Sequence, residues 1–178
     1  CISCVINGEY GDTAVKATHQ FFFHTAQTIE VFAFGAGTIG GTMIDQIRDQ
    51  REKLLKENVD IKVLAITTID GMNLCEDGLD LTNWREDLKT PMFKFGPENV
   101  DDIIKFVKEK KPLNPVFVDC TASYDLPDRY LDILNAGMSI ATPNKRANSK
   151  NIEFYHELRR VANKMHRRFL YETNVGAG

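Results

Sequence analysis

The stretch "VFAFGAGTIGGTMIDQI", residues 31–47, decides how the rest of the chain is interpreted. Four apolar residues run directly into Gly35, Gly37 and Gly40, and an amphipathic segment follows them. A G-x-G-x-x-G between a strand and a helix is the context in which glycines let a pyrophosphate approach the backbone. The alternative is a strand-to-helix turn that uses glycine only for packing. We interpret the stretch as a dinucleotide-binding turn.

The segments around this turn alternate between apolar runs and amphipathic stretches. Apolar, β-branched runs predict strands at 29–34, 61–68, 116–119, 138–142 and 169–172. Helical periodicity predicts helices within 13–25, 39–58, 99–111, 124–137 and 151–167. Residues 21–23 would also suit a strand, and 69–97 holds only a short helix capped by Thr82. The alternation predicts an α/β, Rossmann-like, doubly wound and mostly parallel sheet.

The composition is that of an ordinary globular protein and excludes several classes of partner. A net charge of −3 over 178 residues gives no field that draws in nucleic acid, and the basic segment 157–169 is interpreted as a solvated face. No apolar run approaches the roughly 20 residues of a membrane span. The four cysteines are too scattered for a disulfide framework. We therefore expect reduced thiols, a cytoplasmic location, and neither a nucleic-acid nor a membrane partner.

The end of the second predicted strand is where a dinucleotide-binding fold selects the ribose. A carboxylate there accepts from the 2′-hydroxyl of NAD, whereas an arginine accommodates the phosphate of NADP. Here the candidates are Thr67, Thr68 and Asp70, and no lysine or arginine occurs between Lys62 and Arg85. This pattern favours NAD, although Lys145 or Arg146 could reach a phosphate from another loop. The alternative is that Asp70 is only a turn residue.

Two later loops also follow predicted strands, at the edge where open α/β sheets bind ligands. In "DCTAS", residues 119–123, Thr121 and Ser123 suit contacts to a ribose or a carboxamide. Cys120 is interpreted as a buried small residue rather than a nucleophile, because no histidine lies near it in the sequence. In "TPNKRANS", residues 142–149, Lys145 is placed to meet a carboxylate, a phosphate or a developing alkoxide, or else is a solvated loop lysine.

Several of these motifs, in order, resemble a known enzyme family. "VFAFGAGTIGG", "GLDLTNWREDL", "LNPVFVDCTAS", "TPNKRANS", "YHELRR" and "FLYETNVGAG" together resemble homoserine dehydrogenase, in the form fused behind aspartate kinase. The resemblance covers residues 29–178, which we expect to be an NAD(P)-binding domain. Residues 1–28 look like the tail of an ACT-type regulatory region and a linker. Both ends of the chain look cut, so we expect a piece of a longer polypeptide.

The resemblance implies a reaction and a set of site residues. The family reduces aspartate 4-semialdehyde to homoserine with NADH or NADPH, in threonine and methionine synthesis. The turn would hold the pyrophosphate, and Lys145 would assist the substrate carbonyl as it gains negative charge. The residues expected to contact the cofactor are Gly35, Ala36, Gly37, Thr38, Ile39, Gly40, Thr67, Thr68, Asp70, Cys120, Thr121, Ala122, Ser123 and Lys145. A monovalent cation, usually sodium, is expected at Glu172, Val175 and Ala177.

Two departures from the family pattern shape the remaining expectations. Where the family has "ANS" followed by a basic residue, this chain has "TTID", which weakens the case for NADP. The chain also ends where the substrate-binding and dimerisation domain would begin, so we expect it to bind cofactor with little or no turnover. The full-length protein is expected to be a homo-oligomer. The alternatives are a non-catalytic dinucleotide-sensing module, or another amino-acid dehydrogenase with a similar cofactor domain.

Overall fold

Strands and helices alternate along most of the chain in the computed structural model, which describes residues 3–22, 26–96 and 98–171. The strands are β1 (Gln27–Phe34), β2 (Val59–Thr67), β3 (Gly71–Leu74), β4 (Phe93–Lys94), β5 (Pro115–Asp119), β6 (Ser139–Thr142) and β7 (Phe169–Tyr171). The α-helices are α1 (Gly11–Phe22), α2 (Thr38–Lys56), α3 (Trp84–Asp87), α4 (Glu98–Lys110), α5 (Tyr130–Asn135) and α6 (Ile152–Lys164). Short 3-10 turns precede α1 and α5.

The strands form one seven-stranded sheet in the order β4-β3-β2-β1-β5-β6-β7. β2, β1, β5, β6 and β7 run parallel, whereas β3 pairs antiparallel with both β2 and β4. The chain leaves β1 toward β2 on one side and later returns to β5 on the other, so the strand order reverses at β1. The predicted α/β, mostly parallel sheet is confirmed.

Side chains alternate along β1 and so supply the core on both faces of the sheet. Phe32 belongs to a buried cluster that includes Ile103 of α4 and residues of α5 and α6. Ala33 belongs to the cluster on the other face, which Ile44 of α2 and Trp84 of α3 complete. Helices therefore cover both faces, and the loops at the carboxyl ends of the parallel strands remain available for ligands.

The structure differs from the sequence prediction mainly between β2 and α4. The short strands β3 and β4 lie in 69–97, where no strand was expected. Thr82 does not cap α3, because the helix begins at Trp84 with Asn83 as its N-cap and the Thr82 hydroxyl donates to Asp80 at 2.7 Å. At the start of α6 the Asn151 side chain caps the helix by accepting from the Phe154 amide at 2.8 Å.

Smaller differences concern the helix ends. The predicted helix over 124–137 is divided into a 3-10 turn at Leu126–Arg129 and α5. Ala136 is the C-cap of α5, and Gly137 follows at a φ of +88°, a conformation that favours glycine. The segment around Phe21 is helical rather than extended. No helix in the described ranges combines the length and the apolar character that crossing a membrane requires.

Candidate functional site

The carboxyl ends of β1, β5 and β6 bring three loops of the chain to one edge of the sheet. The Cys120 amide donates to the Phe34 carbonyl at 2.7 Å, and the Gly35 amide donates to the Thr67 carbonyl at 2.9 Å. The glycine turn is therefore tied to the loops on both sides of it. The predicted residues of the turn, the loop after β5 and the loop after β2 lie together, as a dinucleotide spanning a strand-order reversal requires.

Two glycines of the turn are explained by the packing of the protein itself. Gly35 has a φ of +84°, and a Cβ there would lie 2.9 Å from Cγ2 of Thr121. At Gly40 a Cβ would lie 1.8 Å from the Gly35 carbonyl oxygen and 3.1 Å from Cβ of Cys120. No side chain fits at either position without moving the backbone, so the turn can approach the sheet only with glycine there.

Gly37 is different, because neither packing nor backbone conformation requires a glycine there. A Cβ at Gly37 would meet no described atom within 4 Å. Its φ of −72° is one that other residues adopt, and the residue is exposed. Gly37 is also the N-cap of α2, where no side chain bonds the free amides of the first turn. A backbone surface of this kind, at the positive end of a helix dipole, is suited to a phosphate group.

A buried carboxylate organises the loops after β5 and β6. Asp119 is 0% exposed, and its Oδ1 accepts from the amide of Thr121 at 2.8 Å and from the Thr121 hydroxyl at 2.6 Å. Its Oδ2 accepts from the Tyr130 hydroxyl at 2.5 Å and from the side-chain amide of Asn144 at 3.0 Å. Thr142 links the same groups, since its hydroxyl donates to the Asp119 carbonyl at 2.8 Å. All four donors to the carboxylate are neutral groups.

Further contacts join the two loops directly. Nδ2 of Asn144 donates to the Ser123 carbonyl at 3.0 Å. The guanidinium of Arg146 lies 3.6 Å from the centre of the Tyr124 ring. Lys145 lies between these two anchored residues, and its side chain is exposed. The predicted lysine is thus presented to solvent from a loop whose neighbouring side chains are engaged.

The predicted contact residues of the loop after β5 have distinct roles in the fold. Besides bonding Asp119, Thr121 accepts at its hydroxyl from the Ser123 amide at 3.2 Å. The Ser123 hydroxyl in turn accepts from the amide of Leu126 at 3.1 Å, at the start of the 3-10 turn. Ala122 is exposed between them. Both predicted hydroxyls therefore hold the loop in place, Thr121 through Asp119 and Ser123 through the start of the 3-10 turn.

Cys120 is a poor nucleophile in this setting. The residue is half-buried, and burial together with the charge of Asp119 raises the pKa of its thiol to about 11. The thiol therefore stays protonated at neutral pH, and the thiolate is the nucleophilic form. This agrees with the interpretation of Cys120 as a small packing residue.

An apolar groove of about 650 Å³ runs from α2 across the exposed side of β5, β6 and β7. Two predicted cofactor contacts, Ile39 and Cys120, line it together with Pro143 and Tyr171. Ile39 is 61% exposed, which is unusual for an isoleucine near a sheet. Flat apolar walls beside the glycine turn fit an aromatic ring of a ligand bound there.

The three residues proposed to select the ribose differ in accessibility. Thr67 is only 1% exposed, so its side chain is closed to a ribose and only its carbonyl takes part, by accepting from Gly35. Thr68 is half-buried, and its hydroxyl accepts from the amide of Asp70 at 3.2 Å. Asp70 is exposed. The open carboxylate makes Asp70 the strongest of the three candidates.

The fold brings beside the turn a cation that no sequence pattern indicated. Arg85 donates to both carboxylate oxygens of Asp45, at 2.8 and 2.5 Å, and stacks over Trp84 at 4.2 Å. A Cβ on Gly41 would lie 3.4 Å from this guanidinium, which places it against the first turns of α2. Arg85 lies forty positions from Asp45 in the sequence, so no local pattern could indicate the pair.

The predicted sodium site cannot be compared with the structure in this way. Its residues Glu172, Val175 and Ala177 lie outside the described residues.

Comparison with known proteins agrees with this geometry. The family model for the homoserine dehydrogenase NAD-binding domain matches residues 35–172. A bifunctional aspartokinase/homoserine dehydrogenase of Haemophilus influenzae is 41% identical over 177 residues, covering 99% of this chain and 21% of that protein. A chloroplastic bifunctional aspartokinase/homoserine dehydrogenase 1 of Arabidopsis thaliana is 38% identical over 181 residues, covering 99% of this chain and 19% of that protein.

A solved structure shows the same fold. A hyperthermophilic archaeal homoserine dehydrogenase in complex with NADPH superimposes with a TM-score of 0.63 at 23% identity, covering 82% of this chain and 44% of that chain. The present chain spans about a fifth of the length of the curated relatives, 21% and 19% in the two cases above. Since the family model matches most of its residues, the chain belongs to the homoserine dehydrogenase NAD-binding domain family.

Proposed function

We propose that this chain is the cofactor-binding part of a homoserine dehydrogenase fused to an aspartokinase. The whole polypeptide would interconvert aspartate 4-semialdehyde and homoserine by hydride transfer. The observation that carries the proposal is Gly37, a glycine that neither packing nor φ requires, at the uncapped start of α2. The exposed backbone that this residue leaves at the start of α2 supports a phosphate site, although glycine is also a favoured N-cap residue.

The chain's own residues fit a dinucleotide at this edge. The backbone of the glycine turn would bind the pyrophosphate, and the groove that contains Ile39 and Cys120 would hold the nicotinamide ring. When bound, the dinucleotide supplies or accepts the hydride. Lys145 would stabilise negative charge on the substrate oxygen, because an ammonium group placed at a developing alkoxide lowers its energy. The substrate ligands would come from a region beyond this chain.

NAD is the proposed cofactor, with Asp70 as the residue that selects it. Its exposed carboxylate can accept from a ribose hydroxyl and would repel a 2′-phosphate. Arg85, a cation that the structure brings against the first turns of α2, is already bonded to Asp45 on both carboxylate oxygens. We therefore expect the oxidised and reduced forms of NAD to be preferred over those of NADP.

Calorimetric titration of this chain with NADH and, separately, NADPH tests the cofactor proposal. Tighter binding of NADH supports the glycine turn and Asp70. Tighter binding of NADPH keeps the cofactor site but moves the phosphate contact to Arg85, Lys145 or Arg146. Asp70→Ala is the matched variant, expected to weaken NADH more than NADPH. Binding of neither dinucleotide would contradict a complete site within this chain.

Lys145→Ala in the full-length polypeptide tests the catalytic proposal. We expect turnover to fall by at least about 100-fold while NADH affinity stays within about threefold, because the lysine acts on the substrate oxygen. Unchanged turnover would favour a module that only senses dinucleotide. This chain alone is expected to bind cofactor and to turn over little or no homoserine.

The remaining expectations concern residues 1–28, the cation site and the full-length protein. We propose that residues 1–28 belong to an ACT-type regulatory region, which is supported by the exposure of Val15, Phe21 and Phe22 on α1. A sodium site at Glu172, Val175 and Ala177, a homo-oligomeric full-length protein and a cytoplasmic location stay predictions from the sequence. Sodium titration of the full-length enzyme and its sedimentation would test the first two of these.

A further inference from the structure

The backbone on both sides of Lys145 is held by specific hydrogen bonds. The backbone amide of Asn144 donates to the Thr142 hydroxyl at 2.8 Å, and the backbone amide of Arg146 donates to Oδ1 of Asn144 at 3.0 Å. The Lys145 carbonyl accepts from the Ser149 amide at 3.1 Å. The ammonium group itself makes no ion pair with any residue in 3–22, 26–96 or 98–171. The loop thus fixes the start of this side chain and leaves its charged end free.

The side-chain amide of Asn144 has a fixed orientation because its Nδ2 donates to the carboxylate of Asp119. A carboxylate only accepts hydrogen bonds, so Asp119 requires the NH₂ end of the Asn144 amide. The Oδ1 end then points to the Arg146 amide, which it bonds. Reversing the amide would set two acceptors against each other at Asp119 and leave the Arg146 amide facing a donor. The direction of the Asn144 amide therefore determines the path of the chain through Lys145.

Tyr130 completes this arrangement from α5. The residue is 0% exposed, and its hydroxyl donates to Oδ2 of Asp119, the oxygen that also accepts from Asn144. Burial and the charge of Asp119 raise the pKa of the tyrosine, so it remains a donor throughout the physiological range. No arginine or lysine of the described chain pairs with Asp119, so neutral donors alone stabilise its charge.

We propose that Asn144, Asp119 and Tyr130 are positioning residues that act through Lys145. The inference rests on the proposed function, since it assigns a task to the loop only if Lys145 acts on the substrate. The three side chains are buried, whereas Lys145 is exposed, so they fix the lysine without contacting the substrate themselves. A displacement of about 1 Å at a reacting group costs on the order of 100-fold in rate, which makes such support consequential.

Tyr130→Phe in the full-length polypeptide is the first test. The change removes one hydroxyl and keeps the ring that packs against Phe169 at 6.0 Å. We expect kcat to fall at least about tenfold, because one donor to a buried carboxylate is lost and the loop relaxes. The KM for dinucleotide should change by less than about threefold. In a Lys145→Ala background the same change should have no further effect on residual turnover.

Asn144→Asp gives a signature that a merely structural role would not produce. At neutral pH the introduced carboxylate opposes Asp119, so kcat should be low. Burial and the like charge raise the pKa of the introduced group, and once protonated it can donate to Asp119 as the amide does. Relative to the unmodified enzyme, kcat should therefore recover as pH falls from 8 toward 6. The other titratable side chains beside Asp119 are Tyr130, which donates to it, and the thiol of Cys120, and both stay neutral over this range.

Asn114→Ala is the matched control. Asn114 is a half-buried asparagine whose amide donates to the Thr28 carbonyl at 2.8 Å, at the amino ends of the strands and so at the opposite edge of the sheet. It should lower thermal stability without lowering kcat. Normal kcat in both Tyr130→Phe and Asn144→Asp, with Lys145→Ala inactive, would overturn the positioning role and leave the proposed function standing. Full turnover in Lys145→Ala would overturn both.

Discussion

The glycine turn after β1 and the paired loops after β5 and β6 lie at the same edge of the sheet, yet they are built in opposite ways. The turn depends on glycines, which have no side chain. The backbone is therefore open at Gly37 and closely packed at Gly40. The paired loops work through buried polar side chains gathered around Asp119. The difference fits the two proposed tasks: the turn would bind a ligand through backbone amides, and the paired loops would hold one lysine side chain in place.

Gly40→Ala should break the turn and have the largest effect. The added Cβ would lie 1.8 Å from the Gly35 carbonyl oxygen, so the backbone has to move. We expect a loss of at least about 3 kcal/mol of stability and no measurable NADH binding, since overpacking here cannot be relieved by a side-chain rotation. Urea unfolding and calorimetry of the same preparation measure both. Near-normal stability would contradict the packing assigned to this position.

Thr142→Val should damage the paired loops and leave the turn intact. Valine keeps the shape of the side chain but removes the hydroxyl. That hydroxyl donates to the Asp119 carbonyl and accepts from the backbone amide of Asn144. Two buried groups are then left unpaired, at a cost of about 2 kcal/mol. Denaturant unfolding should show this loss. A variant as stable as the original chain would mean that water or another group replaces the hydroxyl.

Gly37→Ala separates ligand binding from packing within the turn. The added methyl meets no described atom within 4 Å, so no clash is expected, and the thermal midpoint should fall only by the small loss of replacing a glycine N-cap with alanine. NADH affinity should fall about tenfold, equivalent to about 1.4 kcal/mol, because the methyl occupies space that the pyrophosphate needs. Gly11→Ala is the control, since a Cβ there is also unobstructed but belongs to the N-terminal segment. Equal affinity in both variants would favour the packing-only alternative.

Asp45→Asn should have the smallest effect, and the effect should depend on pH. Hydrogen bonds from Arg85 and Trp84 lower the pKa of Asp45 from 3.8 to about 2. A carboxyl whose pKa is lower in the folded state stabilises the fold above its unfolded value and loses that contribution as pH falls through the folded value. The original chain should therefore melt slightly above the variant at pH 7, with the difference vanishing between pH 4 and pH 2. A constant difference would contradict this.

The parts of the fold that the sequence predicted are those determined by local pattern. The five parallel strands are mainly apolar runs, and β1, β2 and β5 contain stretches buried on both faces, as is typical of parallel strands. The strands β3 and β4 were missed because they are short and partly polar. Asn73 in β3, for example, is buried only because it bonds the Asp87 carbonyl and the Met92 amide. Such bonds join distant positions and leave no periodic signal.

The same limit applies to the site. The glycine turn and Lys145 were found because motif and position relative to a strand are visible in the sequence. No sequence pattern assigns a role to Asp119, Tyr130 or Asn144. Their importance follows from burial around a common carboxylate, with contacts that span 11 and 25 positions. Arg85 has no predicted role either, although folding brings it beside α2.

The central place of β1 has a consequence for how quickly a ligand can be captured. The turn leaves a strand paired along both edges, and the Gly35 amide and the Phe34 carbonyl bond the loops on either side. Such a backbone is already rigid before any encounter, so no ordering entropy of the protein opposes association. We expect the conformational change of the flexible dinucleotide, as it binds at this edge of the sheet, to limit its association rate. Substitutions that only loosen the outer strands of the sheet should alter this rate little.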